Sequence, residues 1–497
     1  MSAQTHSWPL DELLHGYSAG EVDAGVLITG MTMDSRDVHP GDLFLACKGQ
    51  TTHGLSYAPQ AVSGGATAIA YEPDSSVAPD FSIPVVAVPR LSKKVGKLAD
   101  RFFASPSRHL AVVGVTGTNG KTSVTDFISQ ALKKTSGQCG VLGTLGYGLA
   151  GDLEPGAHTT PDVVKVHEWL ARFVAADCDY AVMEVSSHAL DQNRVDAVRF
   201  TVAVFTNISR DHLDYHGDMA SYVAAKQQLF SWPELEYAVI NADDDMGREW
   251  LSQLPRRVTP LAYSLDEPVV GIDSIYARAL SSDATGMQME VVTPWGDITL
   301  RTALLGRFNA ANLLAAMGVL LRLGFPLEQV GQLLADSKPV SGRMERFGLK
   351  DQPLVVVDYA HTPDALEQAI LALRDHFTGK LVCVFGCGGD RDQGKRPLMG
   401  AVAERLADQV IVTDDNPRSE DPDVITDQIL SGINDPSSVL VIHDRRDAIA
   451  RAINGSTPAD CVLVAGKGHE TVQVTGNQIL PFDDREIVRA CLREYGV

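Results

Sequence analysis

Apolar positions along the chain fall into two rhythms. Short continuous runs bounded by turn residues predict buried strands, and apolar residues recurring every three or four positions predict helices. In the first 108 residues, GDLFLACKG, ATAIAYEP and IPVVAVP have the strand pattern, and Pro79, Pro84, Pro89 and Pro106 punctuate the end of the segment. Residues 110–115 (LAVVGV) form a buried-strand pattern that runs directly into TGTNGKTS. Val124, Phe127, Ile128, Ala131 and Leu132 then recur at helical spacing. Further strands are predicted at 180–185, 202–206 and 238–241, and alternation of strands with helices continues to about residue 340, which predicts a parallel sheet. Near the end of this region NAANLLAAMGVLLRLG predicts an amphipathic helix with a glycine stop.

The alternation restarts at LVVVD. TPDALEQAILALRDHF follows it, with Pro363 at a first-turn position and Leu366, Ala369, Ile370, Leu373 and Phe377 on one face. KLVCVFG, a glycine loop, a helix near 401–407, QVIVTDD, a second helix, VLVIHD, a third helix and CVLVAG complete the pattern. The fold class expected is α/β in three domains. Residues 1–108 form a small N-terminal α/β domain, 109–340 a central phosphate-loop domain on a parallel sheet, and 341–497 a Rossmann-like C-terminal domain. GCGGDR is not a dinucleotide fingerprint, because Arg391 stands where the third glycine belongs.

Length and charge agree with this division. A chain of 497 residues is too long for one core. Forty-two basic residues against 63 acidic give a formal charge of −21, which disfavours a nucleic-acid binder. Cys47, Cys139, Cys178, Cys383, Cys387, Cys461 and Cys491 are few, scattered and odd in number, so a disulfide framework is not expected. The C-x3-C of Cys383 and Cys387 reads as buried thiols rather than zinc ligands. MSAQTHSWPLDELLHG lacks a basic segment followed by an apolar core, and no apolar run approaches the ~20 residues of a membrane span. A cytoplasmic protein, without a membrane span and monomeric, is expected.

Three clusters carry chemistry. In Gly117-Thr118-Asn119-Gly120-Lys121-Thr122-Ser123, glycines let backbone N–H groups approach phosphate oxygens, Lys121 suits the β and γ phosphates, and Thr122 suits Mg²⁺. The strict phosphate-loop pattern fails at its first position, where Val115 stands. EVSSHALDQNR (184–194) and TNISRDHLDYH (206–216) follow two predicted buried strands, at the strand ends where open α/β sheets bind ligands. The four-residue spacing of His212 and His216 raises a zinc pair, but Asp211 and Asp214 favour an oxygen-rich site for a hard cation.

Taken with GRFNAAN, SGRMER, DYAHTPDAL, GCGGDRDQGKRP, TDDNPR, AGKGHE and NISRDHLDYHGDMASYVAAK, these segments resemble, in order over nearly the whole chain, the Mur ligases of peptidoglycan synthesis. The resemblance implies an N-terminal domain for a uridine nucleotide, a central ATPase and a C-terminal amino-acid domain. It also implies a reaction. ATP phosphorylates the D-glutamyl γ-carboxylate of UDP-N-acetylmuramoyl-L-alanyl-D-glutamate, and the amine of meso-2,6-diaminopimelate displaces phosphate from the acyl phosphate. By the same resemblance Glu184 and His212 are Mg²⁺ ligands with Thr122, and Lys226 is the carbamylated lysine that supports a second Mg²⁺. Lys121, Glu184, His212 and Lys226 are then the catalytic set, and Asn309, Asn312, Arg343 and Asp358 complete the ATP site. Met33, Ser35, Gln50, Thr51, Thr52, His158 (where relatives carry Asn), Thr159, Thr160, Ser186, Gln192 and Arg194 bind the UDP substrate. Asp415-Asn416-Pro417-Arg418 marks members that add diaminopimelate, with Arg418 on its distal carboxylate; Arg391, Gly466 and Glu470 complete that site. Bidentate Arg–carboxylate pairing explains the choice physically, since lysine would leave the guanidinium unpaired. A lysine-adding member, a folylpolyglutamate synthetase and a non-catalytic nucleotide switch are the competing readings. The segment before residue 110 and the DNPR motif weigh against the second, and the acceptor and amino-acid sets against the third.

Overall fold

The computed structural model describes residues 7–49, 52–74, 80–283, 285–349, 351–377 and 379–495. Three sheets of four or more strands organise it. Near the N-terminus β1 (Gly30–Thr32), β2 (Asp42–Ala46), β3 (Ala68–Tyr71) and β4 (Val85–Ala87) make a four-stranded parallel sheet in that order. Helix α1 (Val95–Phe102) buries Val95, Leu98, Ala99 and Phe102 against it.

The central sheet collects β5 (Ala111–Thr116), β6 (Gly140–Gly143), β7 (Gly146–Leu149), β8 (Asp152–Glu154), β9 (Tyr180–Glu184), β10 (Val202–Phe205), β11 (Tyr237–Asn241), β12 (Thr259–Ser264), β13 (Ser274–Asp283), β14 (Gly286–Thr293) and β15 (Gly296–Thr302). Its spatial order is β8-β7-β6-β9-β5-β10-β11-β12-β13-β14-β15. The seven strands from β6 to β13 run parallel, whereas β7, β8, β14 and β15 are antiparallel additions at the two edges. The expected strand–helix alternation to residue 340 therefore gives way after β13 to a meander. Met287, Met289, Val291 and Leu300 put alternate side chains inward there, the period-2 pattern of strands with one wet face.

Helix α2 (Lys121–Ser136) follows β5, and α3 (Val163–Ala175), α4 (Ser187–Asp191) and α5 (Met219–Gln227) connect later strands. Helix α6 (Arg307–Arg322) corrects the expectation of an amphipathic helix. Twelve of its 16 residues are buried, because α2, α7 (Leu327–Ala335), β11 and β12 enclose it nearly all round. Gly318 faces the sheet, where an added Cβ would lie 2.9 Å from Val239. The glycine stop is present as expected, with Leu323 as cap and Gly324 after it at φ +92°.

The third sheet contains β16 (Glu345–Phe347), β17 (Leu354–Asp358), β18 (Leu381–Phe385), β19 (Gln409–Val412), β20 (Leu440–Val441) and β21 (Cys461–Ala465), in the order β16-β17-β21-β18-β19-β20. All are parallel except β16. Helix α8 (Pro363–His376) begins as the sequence predicts, with Pro363 in the first turn and Thr362 Oγ1 accepting from the Ala365 amide at 3.2 Å. The helix expected at 401–407 is α9 (Lys395–Leu406) and starts six residues earlier, through GKRP, where proline is tolerated in a first turn. VLVIHD yields only the two-residue β20, at an exposed sheet edge. Helices α10 (Pro422–Leu430), α11 (Arg445–Asn454) and α12 (Asp484–Glu494) and a hairpin of Val472–Thr475 with Gln478–Pro481 complete the C-terminal part.

Two apolar clusters cover opposite faces of the central sheet and two more cover those of the C-terminal sheet. Leu305, from the segment entering α6, packs within a C-terminal cluster together with Phe308. His376 at the end of α8 fastens the same junction. Its Nδ1 donates to the Asp283 carbonyl, so its Nε2 is the acceptor for the Gly306 amide at 3.1 Å.

Candidate active site

The carboxyl ends of the parallel strands in the central and C-terminal sheets supply the site, from opposite sides of one cleft. On the central side the β5–α2 loop is folded against the loop after β10. The Thr118 amide donates to the Asn207 carbonyl at 2.8 Å, the Asn119 amide to Asn207 Oδ1 at 2.9 Å, and Thr206 Oγ1 to the Asn119 carbonyl at 2.5 Å. Gly117 (φ +149°) and Gly120 (φ +84°) have no room for a side chain, since added Cβ atoms would lie 1.9 Å from Thr206 Oγ1 and 2.6 Å from Asn312 Oδ1. Lys121 Nζ donates to the Gly117 and Thr118 carbonyls at 2.9 and 2.8 Å. The ammonium is thereby held beside the loop amides. Burial lowers its pKa, although Glu184 and Asp211 pull the other way.

Glu184 ends β9, 1% exposed. Thr122 Oγ1 and Thr144 Oγ1 each donate to its Oε2 at 3.1 Å, and the Thr144 amide donates to Oε1 at 2.8 Å. Lys226, 1% exposed at the end of α5, donates to the Gly117 carbonyl at 2.7 Å and stacks over Tyr222 at 4.7 Å. Burial, reinforced by Lys121, pushes the Lys226 ammonium well below its ordinary range, against the pull of Asp211. His212 adopts φ +54°, and burial lowers its imidazole to about 4, so it is neutral at ordinary pH. His188 packs edge-on against His212 at 4.8 Å and is also lowered to about 4, first by burial and then by His212 and His216. Threonine hydroxyl, carboxylate and neutral imidazole are the donors a hard divalent cation accepts. Among the described residues, no three His, Cys, Asp or Glu side chains converge into a ready-made metal cage. Cys383 and Cys387 lie buried, their thiols pushed up to about 12 by burial.

Beside the loop a cavity of about 350 Å³ opens between the central and C-terminal parts. Asn119, Gly120, Ser123 and Asn312 line it from the central side, and Arg343, Asp358 and Asp364 from the other. Asn309 and Asn312 share a face of α6, joined by a hydrogen bond of 3.3 Å from Asn312 Nδ2 to Asn309 Oδ1. Asp358 ends β17 and accepts from the Met344 and Ala360 amides, both at 2.8 Å, while burial raises its carboxyl. Arg343 lies 4.4 Å over the Tyr359 ring, its Nε buried without a partner. Asn119 Nδ2 donates to Asp364 Oδ2 at 2.9 Å, a direct tie from phosphate loop to C-terminal helix.

A larger cleft, about 630 Å³, lies next to it. His158, Thr159, Thr160, Ser186, Arg194 and His212 line the central wall, and Arg391, Asp415, Asn416, Arg418, Gly466 and Glu470 line the facing one. The central wall is pre-set by polar contacts. Thr160 Oγ1 donates to the Glu184 carbonyl at 2.8 Å, Arg194 to the Thr160 carbonyl at 2.9 Å, and Gln192 Oε1 accepts from Arg194 at 2.7 Å. Tyr147 holds the His158 carbonyl with its hydroxyl.

The DNPR segment follows β19. Asn416 donates to Glu470 Oε2 at 2.8 Å and accepts from the buried Lys467 at 3.0 Å. Arg418 has φ +53° and donates to the Gly389 carbonyl at 2.8 Å. Asp415 is buried, with its carboxyl raised by that burial against the pull of Arg445 and Lys467. Gly466 is required beside it, since a Cβ would lie 2.6 Å from Asp415 Oδ2. Behind the segment, Arg445 and Asp484 form a fully buried bidentate pair at 2.8 and 2.7 Å, linking α11 to α12.

The remaining candidates lie elsewhere. Ser35, past the end of β1, is buried and donates to Gln60 at 2.8 Å. Met33 and Thr52 are exposed on the N-terminal part, and Gln50 and Thr51 lie outside the described residues. Pro417 is buried within its loop, and its carbonyl is the reason Gly389 bears no side chain. Sequence reasoning assigned no role to Asp364, Tyr359, His361 and Lys395, which line the cavities. Their letters sit inside DYAHTPDAL and GKRP, but only the fold turns them inward. Asp243 and Tyr263, from turns and strands remote in sequence, carry no signal at all.

The chain matches the Mur ligase middle domain over residues 115–320, the Mur ligase glutamate ligase domain over 342–468, and the Mur ligase family catalytic domain over 27–103. It is 50% identical over 478 residues to a UDP-N-acetylmuramoyl-L-alanyl-D-glutamate–2,6-diaminopimelate ligase of Ectopseudomonas mendocina, covering 96% of each chain. A protein of the same description from Pseudomonas aeruginosa is 48% identical over 478 residues, covering 96% of this chain and 97% of its own. A solved structure of a UDP-N-acetylmuramoyl-L-alanyl-D-glutamate–2,6-diaminopimelate ligase superposes with a TM-score of 0.71 at 34% identity, covering 98% of this chain and 99% of that one.

Proposed function

This chain belongs to the Mur ligase family, and from that premise we propose that it is the ATP-dependent ligase that joins meso-2,6-diaminopimelate to the D-glutamyl γ-carboxylate of UDP-N-acetylmuramoyl-L-alanyl-D-glutamate. The observation that carries the reading is the shared cleft. Its acceptor wall of Thr159, Thr160, Ser186 and Arg194 faces an amino-acid wall of Arg391, Asn416, Arg418 and Glu470, with a phosphate loop alongside.

A carboxylate is a poor electrophile, so it must first acquire a leaving group. Loop amides and Lys121 hold the triphosphate while the γ-carboxylate oxygen attacks the terminal phosphorus and ADP departs. Arg343, Asn309, Asn312 and Asp358 seat the nucleotide. The amine then attacks the acyl carbon, the carbon–oxygen bond to phosphate breaks, and the surplus amine proton leaves with the phosphate. Catalysis is mostly positioning and charge neutralisation. Thr122, Glu184 and His212 would hold Mg²⁺, whose charge offsets that of the phosphates. Burial holds the Lys226 ammonium well below its ordinary range and so favours the free amine, the form that reacts with CO₂, which supports a carbamate there as a further anionic ligand.

The amino acid is selected by charge. Arg418 and Arg391 suit its distal carboxylate, and Glu470, held by Asn416 and Lys467, suits the distal ammonium. Residues 1–108 bind the uridine nucleotide, with Ser35 among their ligands, 109–340 bind ATP, and 341–497 bind the amino acid. The protein acts as a cytoplasmic monomer, and among the described residues no helix is long and apolar enough to cross a membrane. Coupled phosphate release tests the proposal, with the UDP-muramoyl dipeptide, ATP, Mg²⁺ and either meso-diaminopimelate or L-lysine. Release only with the diamino diacid is expected; equal use of lysine would make the protein a lysine-adding member, and intact ATP with every reactant present would overturn the reading.

A further inference from the structure

The loop that carries the DNPR segment is held by a piece of chain with no part in the assignments above. Residues Val472–Thr475 and Gln478–Pro481 form a two-stranded sheet of their own, and most of them are exposed. A two-stranded hairpin by itself is marginally stable in water, so this one depends on what it touches. Among the described residues, every hydrogen bond that leaves the hairpin ends on positions 414–418. Gln473 Nε2 donates to the Asp415 carbonyl at 2.9 Å and to that of Asp414 at 3.4 Å. The Val474 amide donates to Asn416 Oδ1 at 3.0 Å. The Arg418 amide donates to the Val474 carbonyl at 3.0 Å, and the Arg418 carbonyl accepts from the Gly476 amide at 2.6 Å.

These contacts fix two side chains that face the cleft. Asn416 Oδ1 has two donors, the Val474 amide and the buried Lys467 ammonium. Its amide can therefore turn only one way, with Nδ2 toward Glu470 Oε2 at 2.8 Å. Arg418 sits at φ +53°, a conformation that a non-glycine residue keeps only where its surroundings hold it. Both of its backbone groups are taken by the hairpin, which supplies that hold. One hairpin thus aims both Arg418 and Glu470. Gln473 is, among the described residues, the hairpin side chain that bonds to the segment, and it does so from outside the residues lining the cleft.

We propose that Gln473 is a positioning residue for amino-acid selection. Through the Asp414 and Asp415 carbonyls it docks the hairpin on the DNPR segment. The docked hairpin sets the direction of Arg418 toward the distal carboxylate of the amino acid and of Glu470 toward its distal ammonium. This rests on the function proposed above. The phosphate loop and the nucleotide cavity lie outside this chain of contacts, so formation of the acyl phosphate does not depend on it.

The test uses the full-length protein and three variants. Gln473→Met keeps the length and loses the donor, Gln473→Glu sets an acceptor against two carbonyls, and Gln473→Lys keeps a donor. Steady-state kcat and KM are read for meso-diaminopimelate, ATP and the UDP-muramoyl dipeptide. Loss of the hydrogen bond to the segment predicts a rise of about 10-fold in KM for meso-diaminopimelate in the methionine and glutamate variants. Their kcat and the other two KM values should stay within about twofold of the parent. Lysine should restore most of the affinity. In an Arg418→Ala background the methionine change should lower kcat/KM for meso-diaminopimelate by less than about threefold, because the group it aims is already gone. An unchanged KM for the amino acid in both donor-less variants would overturn the proposal. So would three KM values rising together, the mark of a general disturbance, or an undiminished effect in the Arg418→Ala background. Failure of the parent protein to consume ATP at all would count against the proposed function, a separate outcome.

Discussion

Arg418 reaches the cleft from a backbone conformation, φ +53°, that a non-glycine residue adopts at some cost, and its guanidinium is already braced by the Gly389 carbonyl. Such preparation suits the side chain to the selective role proposed for it rather than to nucleotide binding. Arg418→Ala is expected to cut kcat/KM for meso-diaminopimelate at least 100-fold, about 3 kcal/mol of transition-state binding, while ATP affinity measured by calorimetry stays put. Lys121→Ala should abolish ADP formation in a coupled assay even though the loop backbone is retained, because its ammonium supplies charge directly beside the loop amides. Asp126, one turn beyond Thr122 on α2, gives a stability prediction. Burial raises its carboxyl from 3.8 to about 6, opposed by the hydrogen bond from Gln130. A folded-state pKa above the unfolded one means the fold prefers the protonated acid. The penalty is absent below about pH 4, grows between pH 4 and 6, and is complete above 6, where it reaches at most about 3 kcal/mol. Asp126→Asn should raise Tm at pH 7.5 and leave it unchanged at pH 4.

At the scale of elements, the strands and helices that bring the phosphate loop, Glu184 and the DNPR segment to strand ends were legible, because buried parallel strands announce themselves as short apolar runs between turn signals. What escaped was set by neighbours. The enclosure of α6 depends on α2, α7 and the sheet all touching it, so its few polar residues suggested a wet face that does not exist; Asn309 and Asn312 are buried instead. The β14 and β15 extension was missed because its alternating pattern follows a stretch read as strands alternating with helices. Gly318 follows from the enclosure. Gly318→Val would drive carbon into Val239 and Leu261, and a loss of about 1–3 kcal/mol is expected, read as a lower melting temperature with unchanged KM values in the fraction that remains folded.

Across the whole molecule, both cavities are made by two parts of the chain at once. The sequence named residues on both walls, but the partnership of Asn119 with Asp364, of Arg210 with Asp392 and of His376 with Gly306 and Asp283 had no sequence signal, since each joins positions 70 to 250 residues apart. A ligand filling the 350 Å³ cavity touches both parts and should stabilise them together. In a thermal melt followed by fluorescence, ATP with Mg²⁺ is expected to shift a single transition upward in a concentration-dependent way, and Arg343→Ala should reduce that shift; separate transitions with only one moving would contradict the shared cavity. The buried pair of Arg445 and Asp484 carries a consequence for biosynthesis. Until the ribosome has delivered residue 484, the guanidinium behind the amino-acid wall lacks its bidentate partner, and a desolvated charge so incompletely paired does not settle into a core. The nascent chain therefore stays blind to its amino acid until α12 emerges, so a stop codon ahead of residue 484 yields a protein that lacks selectivity rather than a slightly shorter enzyme.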